Sequence, residues 1–271
     1  MDNYFKKNLC CVECEGKLEF KDDCIKCLDC SSEFKIKNDI PLMFSSQDCS
    51  NNLMKEYIEC YEKIAKDDLN DSVTEIETLN ERYKDLKNFI GNTKDKAILD
   101  IGSSQGLFLK TMEGQKVAFD ISLNYLREAK KINLLAVGGL AEALPFKSET
   151  FDIVICSDIL EHVLAPEKVI KEVYKTLKSD GSFIIEVPFE EDLLKYKIYE
   201  GKYKFTHLRN FNDKTLFKLL DDNNFRIVRK KYSMYKASLS LPIIRRLLNA
   251  LPIKSFKKPI FVQLEAKKKN L

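Results

Sequence analysis

The sequence has no tryptophan, only two histidines, and only 9 glycines and 7 prolines among 271 residues. So little glycine and proline excludes collagen-like and low-complexity chains, and a content of 44% hydrophobic and 32% charged residues is typical of a folded globular protein. The chain also lacks an uncharged apolar run of the roughly 18–20 residues that a membrane-spanning helix needs, and its N-terminus lacks the apolar run of a signal peptide. We therefore expect a cytoplasmic protein.

Cysteine is unevenly distributed. Six of the nine cysteines lie within the first thirty residues. Without an export signal, disulfides are disfavoured by the reducing compartment, so this cluster is better interpreted as zinc thiolates. The six are Cys10, Cys11, Cys14, Cys24, Cys27 and Cys30.

Two CxxC pairs, Cys11 with Cys14 and Cys27 with Cys30, are separated by twelve residues. This spacing lets two tight turns face one another and complete a tetrahedron around Zn²⁺, and four thiolates leave no open position for catalysis. Cys24 with Cys27 is an alternative second pair, and Cys10 also lies near. We favour Cys27 with Cys30, because the alternating segments 17–20 and 33–36 then form strands just beyond each turn. The predicted metal site is structural.

We expect residues 1–46 to form this unit, which is too small to be held together by apolar burial alone and would depend on its metal. Its CxxC pairs, Gly16, Leu18 and the closing segment 34–43 resemble the zinc-ribbon domains of the methyltransferase-activator type. Such ribbons are also fused to some methyltransferases, including bacterial rRNA guanine methyltransferases. The resemblance implies a role in contacting a partner or RNA, or in stabilising the chain.

Residues 47–95 are predicted to be a helical connector. Apolar residues recur at helical spacing over 53–90, with an interruption near 67–71, which indicates one or two amphipathic helices that would cover a cofactor cleft as a lid.

A nucleotide-binding unit begins at residue 96. The apolar segment 97–101 contains Asp100 and reads as a strand, Gly102 to Gly106 make a turn, and a helical pattern starts at Leu107. The pattern is Asp-x-Gly-x-x-x-Gly and not the GxGxxG of dinucleotide folds. A carboxylate near the place where a pyrophosphate would sit disfavours an anion, so we expect a cationic ligand.

The next strand, 116–120, ends in Asp120, whose carboxylate is placed to accept hydrogen bonds from ribose hydroxyls. Ser122 is a suitable N-cap for a helix over 123–131. Further strands are predicted at 134–139, 151–156 and 181–187, with a helix that ends near Leu177. Strands that alternate with helices predict an α/β fold with a parallel sheet and a ligand at the carboxyl ends of its strands.

Residues 96–232 resemble the class I S-adenosylmethionine-dependent methyltransferases of the small-molecule type. The motifs that carry the resemblance are Leu99-Asp-Ile-Gly-Ser-Ser-Gln-Gly106, Ala141-Glu-Ala-Leu-Pro-Phe146, Phe151-Asp-Ile-Val-Ile155, Leu160-Glu-His-Val163 and His207-Leu-Arg-Asn-Phe211. The resemblance implies a Rossmann-like, seven-stranded, mostly parallel sheet over residues 96–271, behind the small N-terminal zinc ribbon. It also implies S-adenosyl-L-methionine as the methyl donor.

The family pattern also implies donor-binding residues. The glycine turn, with Asp100, Gly102, Ser103 and Gly106, would frame the methionine part of the donor. Asp120 would hold the ribose, Ile121 would pack on the adenine, and Ala141 and Glu142 would flank the adenine edge. The backbone at Ser157 would lie near the methionine amino group. One departure is Leu140, where the family usually has an acid for the adenine amino group; a buried amino group without a partner costs roughly 1–3 kcal/mol.

His162 and His207, the only histidines, are the candidate catalytic residues. Each lies in a motif near a strand end, where it would act as a base or bind the acceptor. Alternatively, His162 packs at a helix start and His207 orients a loop. Glu161 and Arg209 are weaker candidates.

Positive charge is concentrated in the tail. From Arg226 onward the sequence has 13 Lys and Arg and a single acid, Glu265, a balance of +12; since the whole chain is +3, residues 1–225 carry −9. Segments 225–231 and 260–266 are predicted as the last two strands, with a basic, apolar insertion at about 236–258. The insertion would lie on an anionic membrane surface, follow RNA phosphates, or act as a lid over the acceptor pocket.

These features predict a methyltransferase for a small-molecule, lipid-linked or glycan acceptor. The alternative is an rRNA or tRNA methyltransferase that uses the zinc ribbon and the basic tail. A catalytically inactive binding module is a third possibility, suggested only by Leu140. The segment after the fourth strand lacks the Asn/Asp-Pro-Pro-aromatic signature, and Cys156 lacks a preceding proline, so methylation of base amino groups or of cytosine carbon is not indicated.

Overall fold

The computed structural model describes residues 2–70, 76–194, 203–237 and 257–269. Most of the predicted basic insertion, residues 238–256, therefore lies outside the described residues. No helix in the described ranges is both long enough and apolar enough to cross a membrane.

The strands form one mixed sheet with the order β1-β2-β3-β4-β7-β6-β5-β8-β9-β11-β10. In chain order they are β1 (Leu18–Phe20), β2 (Cys24–Cys27), β3 (Glu33–Lys37), β4 (Ile40–Leu42), β5 (Ala97–Ile101), β6 (Gln115–Asp120), β7 (Leu135–Gly138), β8 (Phe151–Ser157), β9 (Leu177–Pro188), β10 (Phe225–Ala237) and β11 (Lys257–Lys268).

Strands β5 to β11 form the seven-stranded, mostly parallel sheet that the sequence predicted, and the α/β, Rossmann-like fold is confirmed. Only β11 runs antiparallel to its neighbours β9 and β10. Strand β5 has β6 on one side and β8 on the other, so the strand order reverses between β5 and β8. In open α/β sheets such a switch point opens a crevice at the carboxyl ends of the strands.

Successive residues of β5 alternate between the two faces of the sheet, as the pleat requires. Leu99 and Ile101 pack in one apolar layer with Phe119, whereas Ile98 packs in the other with Ala118. Both faces are buried, which explains why the parallel strands are nearly continuous apolar runs in the sequence. Acidic side chains near the ends of these strands are thereby held in fixed positions.

The cysteine-rich segment extends the same sheet and does not stand apart from it. Strand β4 pairs in parallel with β7 through Leu42 and Gly138, and the Met43 amide donates to the Gly138 carbonyl at 2.7 Å. Leu9 bridges Phe146, and the Cys10 amide donates to the Pro145 carbonyl at 3.0 Å. The four short strands of the ribbon thus continue the seven strands of the core to make eleven.

The described helices flank the sheet or cover its carboxyl end. They are α1 (Asn3–Asn8), α2 (Ser46–Ser50), α3 (Asn52–Asn70), α4 (Ile76–Ile90), α5 (Leu107–Lys110), α6 (Leu123–Lys131), α7 (Pro166–Thr176) and α8 (Asp213–Asp222). Ser122 is the N-cap of α6, as predicted.

The helix predicted to end near Leu177 is α7, which begins at Pro166 and ends at Thr176; the motif Leu160 to Val163 lies in turns before it. Proline suits the first turn of a helix because its missing N–H would be unsatisfied there anyway. The turn conformation brings the side chains of this motif to the end of β8.

Helices α3 and α4 lie over the carboxyl end of the sheet. Arg82 of α4 anchors this cover: its guanidinium binds Glu186 of β9 at 2.6–2.7 Å, contacts Asp158, and lies 4.2 Å from the ring centre of Phe261. Glu186 is fully buried and also accepts a hydrogen bond from Gln263 at 2.6 Å. The cover is therefore held by a buried ion pair.

We expect Arg82→Met to destabilise the protein by about 3–5 kcal/mol, because it leaves the Glu186 carboxylate buried without its cation. Chemical denaturation would measure the free energy of unfolding. Adding Glu186→Gln to Arg82→Met should recover part of the loss, whereas the exposed control Arg127→Met should cost less than about 1 kcal/mol. A loss for Arg82→Met no larger than that of the control would contradict the buried-pair interpretation.

Candidate functional site

A cavity of about 520 Å³ opens at the carboxyl ends of β5, β6, β7 and β8, beneath α3 and α4. Its floor comes from strand ends and turns, and its roof from side chains of the connector helices. Such a volume lies within the roughly 300–1,000 Å³ of small-molecule sites. Every donor-binding residue expected from the sequence except Gly106 lines this cavity.

The glycine turn shapes one wall of the cavity. Gly102 and Gly106 have φ values of +70° and +73°, the left-handed region that L-residues with a side chain rarely adopt. A Cβ at Gly102 would lie 1.8 Å from Ile159 Cδ1, and one at Gly106 would lie 2.4 Å from Leu134 Cδ1. Both glycines are therefore required by conformation and by space.

Two acids lie side by side on this floor with almost no exposure, Asp100 at 4% and Asp120 at 6%. Asp120 accepts hydrogen bonds from the amides of Ser104 and Ser122, both at 2.9 Å. Burial, together with the charge of Asp120, raises the pKa of Asp100 to about 8. Burial also raises the pKa of Asp120 to about 6, although the amide hydrogen bonds act in the opposite direction. The floor therefore favours a ligand with positive charge and hydrogen-bond donors.

The wall next to Asp120 is apolar and includes Ile121, Leu140 and Ala141. Leu140 is buried in a cluster with Tyr57 and Phe205. The leucine that departs from the family pattern thus packs in the core.

Glu142 lines the cavity but already has partners. Its carboxylate accepts hydrogen bonds from the amides of Leu164 and Ala165, at 2.9 and 3.4 Å, just before α7. Ser157 also lines the cavity, and its hydroxyl donates to Glu186 at 3.1 Å. Both polar side chains hold neighbouring segments in place at the cavity edge.

The two histidines meet at the other end of the cavity. Their rings pack edge to face with centres 4.4 Å apart. Nδ1 of His162 lies 3.2 Å from the Tyr61 hydroxyl and 3.3 Å from the Thr206 carbonyl, while Nδ1 of His207 contacts the Glu191 carboxylate. Burial and the nearby His207 lower the pKa of His162 to about 4, so its ring is neutral at pH 7.

Arg209 and Glu161, the weaker catalytic candidates, differ in their surroundings. Arg209 donates to the carbonyls of Leu160, Val163 and Leu164, so it fixes the turn that carries His162. Glu161 is buried in the same turn, and neither of its carboxylate oxygens has a hydrogen-bond partner among the described residues.

The sequence predicted the connector helices as a lid, but it did not identify which of their residues would line the cavity. Tyr57 and Tyr61 of α3 and Arg82 of α4 line the cavity. Glu62 of α3 accepts hydrogen bonds from the Ser122 hydroxyl at 2.8 Å and the Leu123 amide at 2.7 Å, at the start of α6. The Tyr57–Tyr61 pair at helical i,i+4 spacing was the available signal, but nothing local showed which surface it would meet.

The second site is the cysteine cluster. The sulfur atoms of Cys11, Cys14, Cys27 and Cys30 all lie within 4.8 Å of one another, with Cys11–Cys30 at 3.6 Å and Cys14–Cys27 at 3.5 Å. Tetrahedral zinc with bonds of about 2.3 Å would place thiolates roughly 3.8 Å apart, so these positions fit the ion. The backbone amides of Glu13 and Asp29 donate to the sulfur atoms of Cys11 and Cys27, both at 3.4 Å.

The remaining cysteines of this segment are outside the cluster. Cys10 is buried, and burial raises the pKa of its thiol to about 11. Cys24 is half-buried on β2. The structure therefore brings together the pairs that the sequence favoured and leaves out the alternative with Cys24.

We expect Cys30→Ser to release most of the zinc from the purified chain, while Cys24→Ser retains about one ion per chain, because only the former removes a ligand of the tetrahedron. Metal analysis by mass spectrometry after dialysis against a weak chelator would measure this. The opposite pattern, zinc lost with Cys24→Ser and kept with Cys30→Ser, would establish the other pairing.

Known proteins share this architecture. Residues 99–185 match the family of the methyltransferase domain. Two uncharacterised proteins of Methanocaldococcus jannaschii are 36% and 31% identical over 123 and 142 residues, which is 45% and 51% of this chain and 53% and 68% of the relatives. The chain thus spans about half the length of the first of these relatives.

A tRNA U34 carboxymethyltransferase of Campylobacter jejuni is 27% identical over 121 residues, covering 41% of this chain and 42% of that protein. Among solved structures, a SAM-dependent methyltransferase from Archaeoglobus fulgidus superposes with a TM-score of 0.53 at 21% identity, covering 70% of this chain and 94% of that chain. At such identity the superposition shows a shared fold.

Proposed function

The chain belongs to the class I S-adenosylmethionine-dependent methyltransferases, and we propose that it transfers the donor's methyl group to a small-molecule, lipid-linked or glycan acceptor. The observation that carries the proposal is a single cavity with two buried acids at one end and a covered aromatic and histidine wall at the other.

The end of the cavity near Asp100 and Asp120 has polar and apolar groups that match those of S-adenosylmethionine. Asp100 and Asp120 offer carboxylates to a cationic ligand with ribose hydroxyls, and Ile121 and Ala141 offer an apolar wall for adenine. The buried hydroxyl of Ser103 has no hydrogen-bond partner among the described residues, as expected of a group that forms its hydrogen bond with a ligand.

S-adenosylmethionine supplies an electrophilic methyl group on a sulfonium sulfur. The protein's contribution is to align the acceptor and to exclude water. Tyr57, Tyr61 and Phe205 cover the acceptor end, and the Arg82 ion pair holds α4 over it. His162, neutral at pH 7, and His207 present ring nitrogens there for an acceptor proton or a polar acceptor group.

RNA is the second candidate because a tRNA-modifying enzyme is among the relatives and a cysteine cluster of the zinc-ribbon type precedes the core. Several tail cations, however, pair with acids of the body: Lys230 with Asp213 at 2.8 Å, and Lys231 with Asp85. Paired cations contribute less to phosphate binding than free ones. We therefore favour the smaller acceptor.

We expect donor binding to release protons at neutral pH. In the free protein the pKa of Asp100 is raised to about 8, and a cationic ligand favours the ionised carboxylate, so binding expels the proton. Affinity should rise as the pH increases from about 6 to about 8 and then level off. Calorimetry at pH 7 in two buffers of different ionisation enthalpy would detect the released proton.

Asp100→Asn should abolish that buffer dependence and weaken donor binding, because the variant cannot become ionised. The exposed control Asp22→Asn should behave as the unchanged protein. Identical heats in both buffers for the unchanged protein would show that Asp100 is not the group that senses the donor.

Methyl transfer is tested with donor that carries a labelled methyl group and with RNA, lipid-soluble and low-mass fractions of cell extract. We expect label in the lipid-soluble or low-mass fraction, and a roughly 10–100-fold loss of donor affinity in Asp120→Asn, which weakens charge-assisted hydrogen bonds to ribose. Label found in RNA alone would favour the second candidate. Label in no fraction, together with no donor binding, would overturn the proposed function.

A further inference from the structure

A cluster of metal-ligand side chains lies at the acceptor end of the cavity. One ligand atom each of Glu161, His162 and His207 lie within 4.8 Å of one another. Glu161 and His162 come from the turns after β8, and His207 comes from the segment that precedes α8. Residues far apart in the sequence are thus brought to one point.

Glu161 is the most unusual member of this cluster. Its side chain is 1% exposed, and neither carboxylate oxygen has a hydrogen-bond partner among the described residues. Burying a carboxylate without partners is costly, and such groups are normally paired or bound to a metal.

The two arginines near this turn do not meet the need. The hydrogen bonds of Arg82 go to Glu186, Ser157 and Asp158, and those of Arg209 go to backbone carbonyls. The oxygens of Glu161 receive none of them.

Each histidine has a polar partner at Nδ1. The Glu191 carboxylate can only accept a hydrogen bond from His207, whereas Nδ1 of His162 lies near both the Thr206 carbonyl and the Tyr61 hydroxyl. With a proton on Nδ1, a neutral ring carries its lone pair on Nε2, the atom that would bind a metal. A histidine that ligates a metal through one nitrogen typically donates from the other to a carbonyl or a carboxylate.

We propose that Glu161, His162 and His207 bind a divalent first-row transition-metal ion, such as Mn²⁺, Fe²⁺, Co²⁺ or Zn²⁺, at the acceptor end of the cavity. Two imidazoles and one carboxylate suit these ions and leave coordination positions open, unlike the closed set of four thiolates in the ribbon. The open positions face a cavity lined by His162 and His207 and take an oxygen atom of the acceptor.

The role of this metal site in methyl transfer rests on the proposed function. It narrows the class of acceptor to molecules that bear oxygen, for example those with neighbouring hydroxyl groups. An ion there would orient the acceptor oxygen toward the donor end. Binding of the ion itself does not depend on methyl transfer and is measured without it.

The test uses the full chain with zinc in its cysteine cluster, and Mn²⁺ as the probe, because Mn²⁺ prefers oxygen and nitrogen ligands over thiolates. Titration followed by electron paramagnetic resonance of free Mn²⁺ gives affinity and stoichiometry. We expect about one Mn²⁺ per chain, and a weakening of at least about tenfold in Glu161→Gln and in His207→Gln. The exposed control Glu149→Gln should bind as the unchanged chain does.

Thermal unfolding gives an independent readout, since an ion that binds only the folded state raises the melting temperature. Mn²⁺ should raise it in the unchanged chain and in Glu149→Gln, but not in Glu161→Gln, whose own fold is checked by circular dichroism. Glu161→Gln keeps the shape of the side chain, so loss of binding with a retained fold supports the site.

Two results would overturn the metal site: no binding of Mn²⁺, Co²⁺ or Zn²⁺ at millimolar concentration beyond the zinc of the cysteine cluster, or binding that Glu161→Gln and His207→Gln leave unchanged. If S-adenosylmethionine still binds in either case, the proposed function stands without the metal. Binding of Mn²⁺ at this site without any binding of S-adenosylmethionine supports the metal site and counts against the proposed function.

Discussion

The burial of carboxylates at one edge of the sheet is the constraint on which the site depends. Asp100, Asp120 and Glu161 are each at most 6% exposed; Asp100 and Asp120 line the cavity, and Glu161 lies next to His162, which also lines it. Carboxylates in such surroundings are costly unless a cation or hydrogen-bond donors meet them. The rigid parallel strands hold Asp100 and Asp120 where they cannot turn toward water, so the protein keeps a strong preference for positively charged ligands.

A second ion-pair system, Arg82 with Glu186 and Asp158, closes the same edge by a different means. Here the protein supplies its own cation, because Glu186 of β9 binds Arg82 of α4 and also accepts a hydrogen bond from Gln263. Glu161 differs from Glu186, because both acids are buried but only Glu186 has hydrogen-bond partners among the described residues. Charge also organises the chain as a whole: the acidic body and the basic tail meet through pairs such as Lys230 with Asp213 and Lys268 with Glu149.

The sequence predicted the parts of the site that local patterns encode. The apolar runs that end near Asp100 and Asp120, the glycine turn between them and the N-cap Ser122 are short-range features, and the structure has strands, a turn and a helix there. The turns before α7, by contrast, are fixed by Arg209, which donates to the Leu160 and Val163 carbonyls. That stabilisation comes from a residue more than forty positions away along the chain, which no local pattern reveals.

The sequence predicted a lid over the cleft but not the residues that form its inner surface. Tyr61 and Arg82 lie on helices whose amphipathic pattern shows that one face is buried, but it does not show which residues that face contacts. The absence of a hydrogen-bond partner for Glu161 among the described residues is likewise a property of the assembled turn. A carboxylate in a sequence is usually solvated, and only the packing of this turn shows that Glu161 is not.

The position of the cysteine cluster in the sheet connects the ribbon to the donor end. Met43 of the ribbon segment bonds to Gly138, and Asn8 and Cys10 bond to Lys147 and Pro145, at 2.7–3.0 Å. The stretch held between these bonds carries Leu140, Ala141 and Glu142, which form the apolar wall and edge of the cavity. An ion that bound the four thiolates would therefore stabilise that wall as well as the ribbon. A structural metal would in this way be coupled to the shape of the cavity.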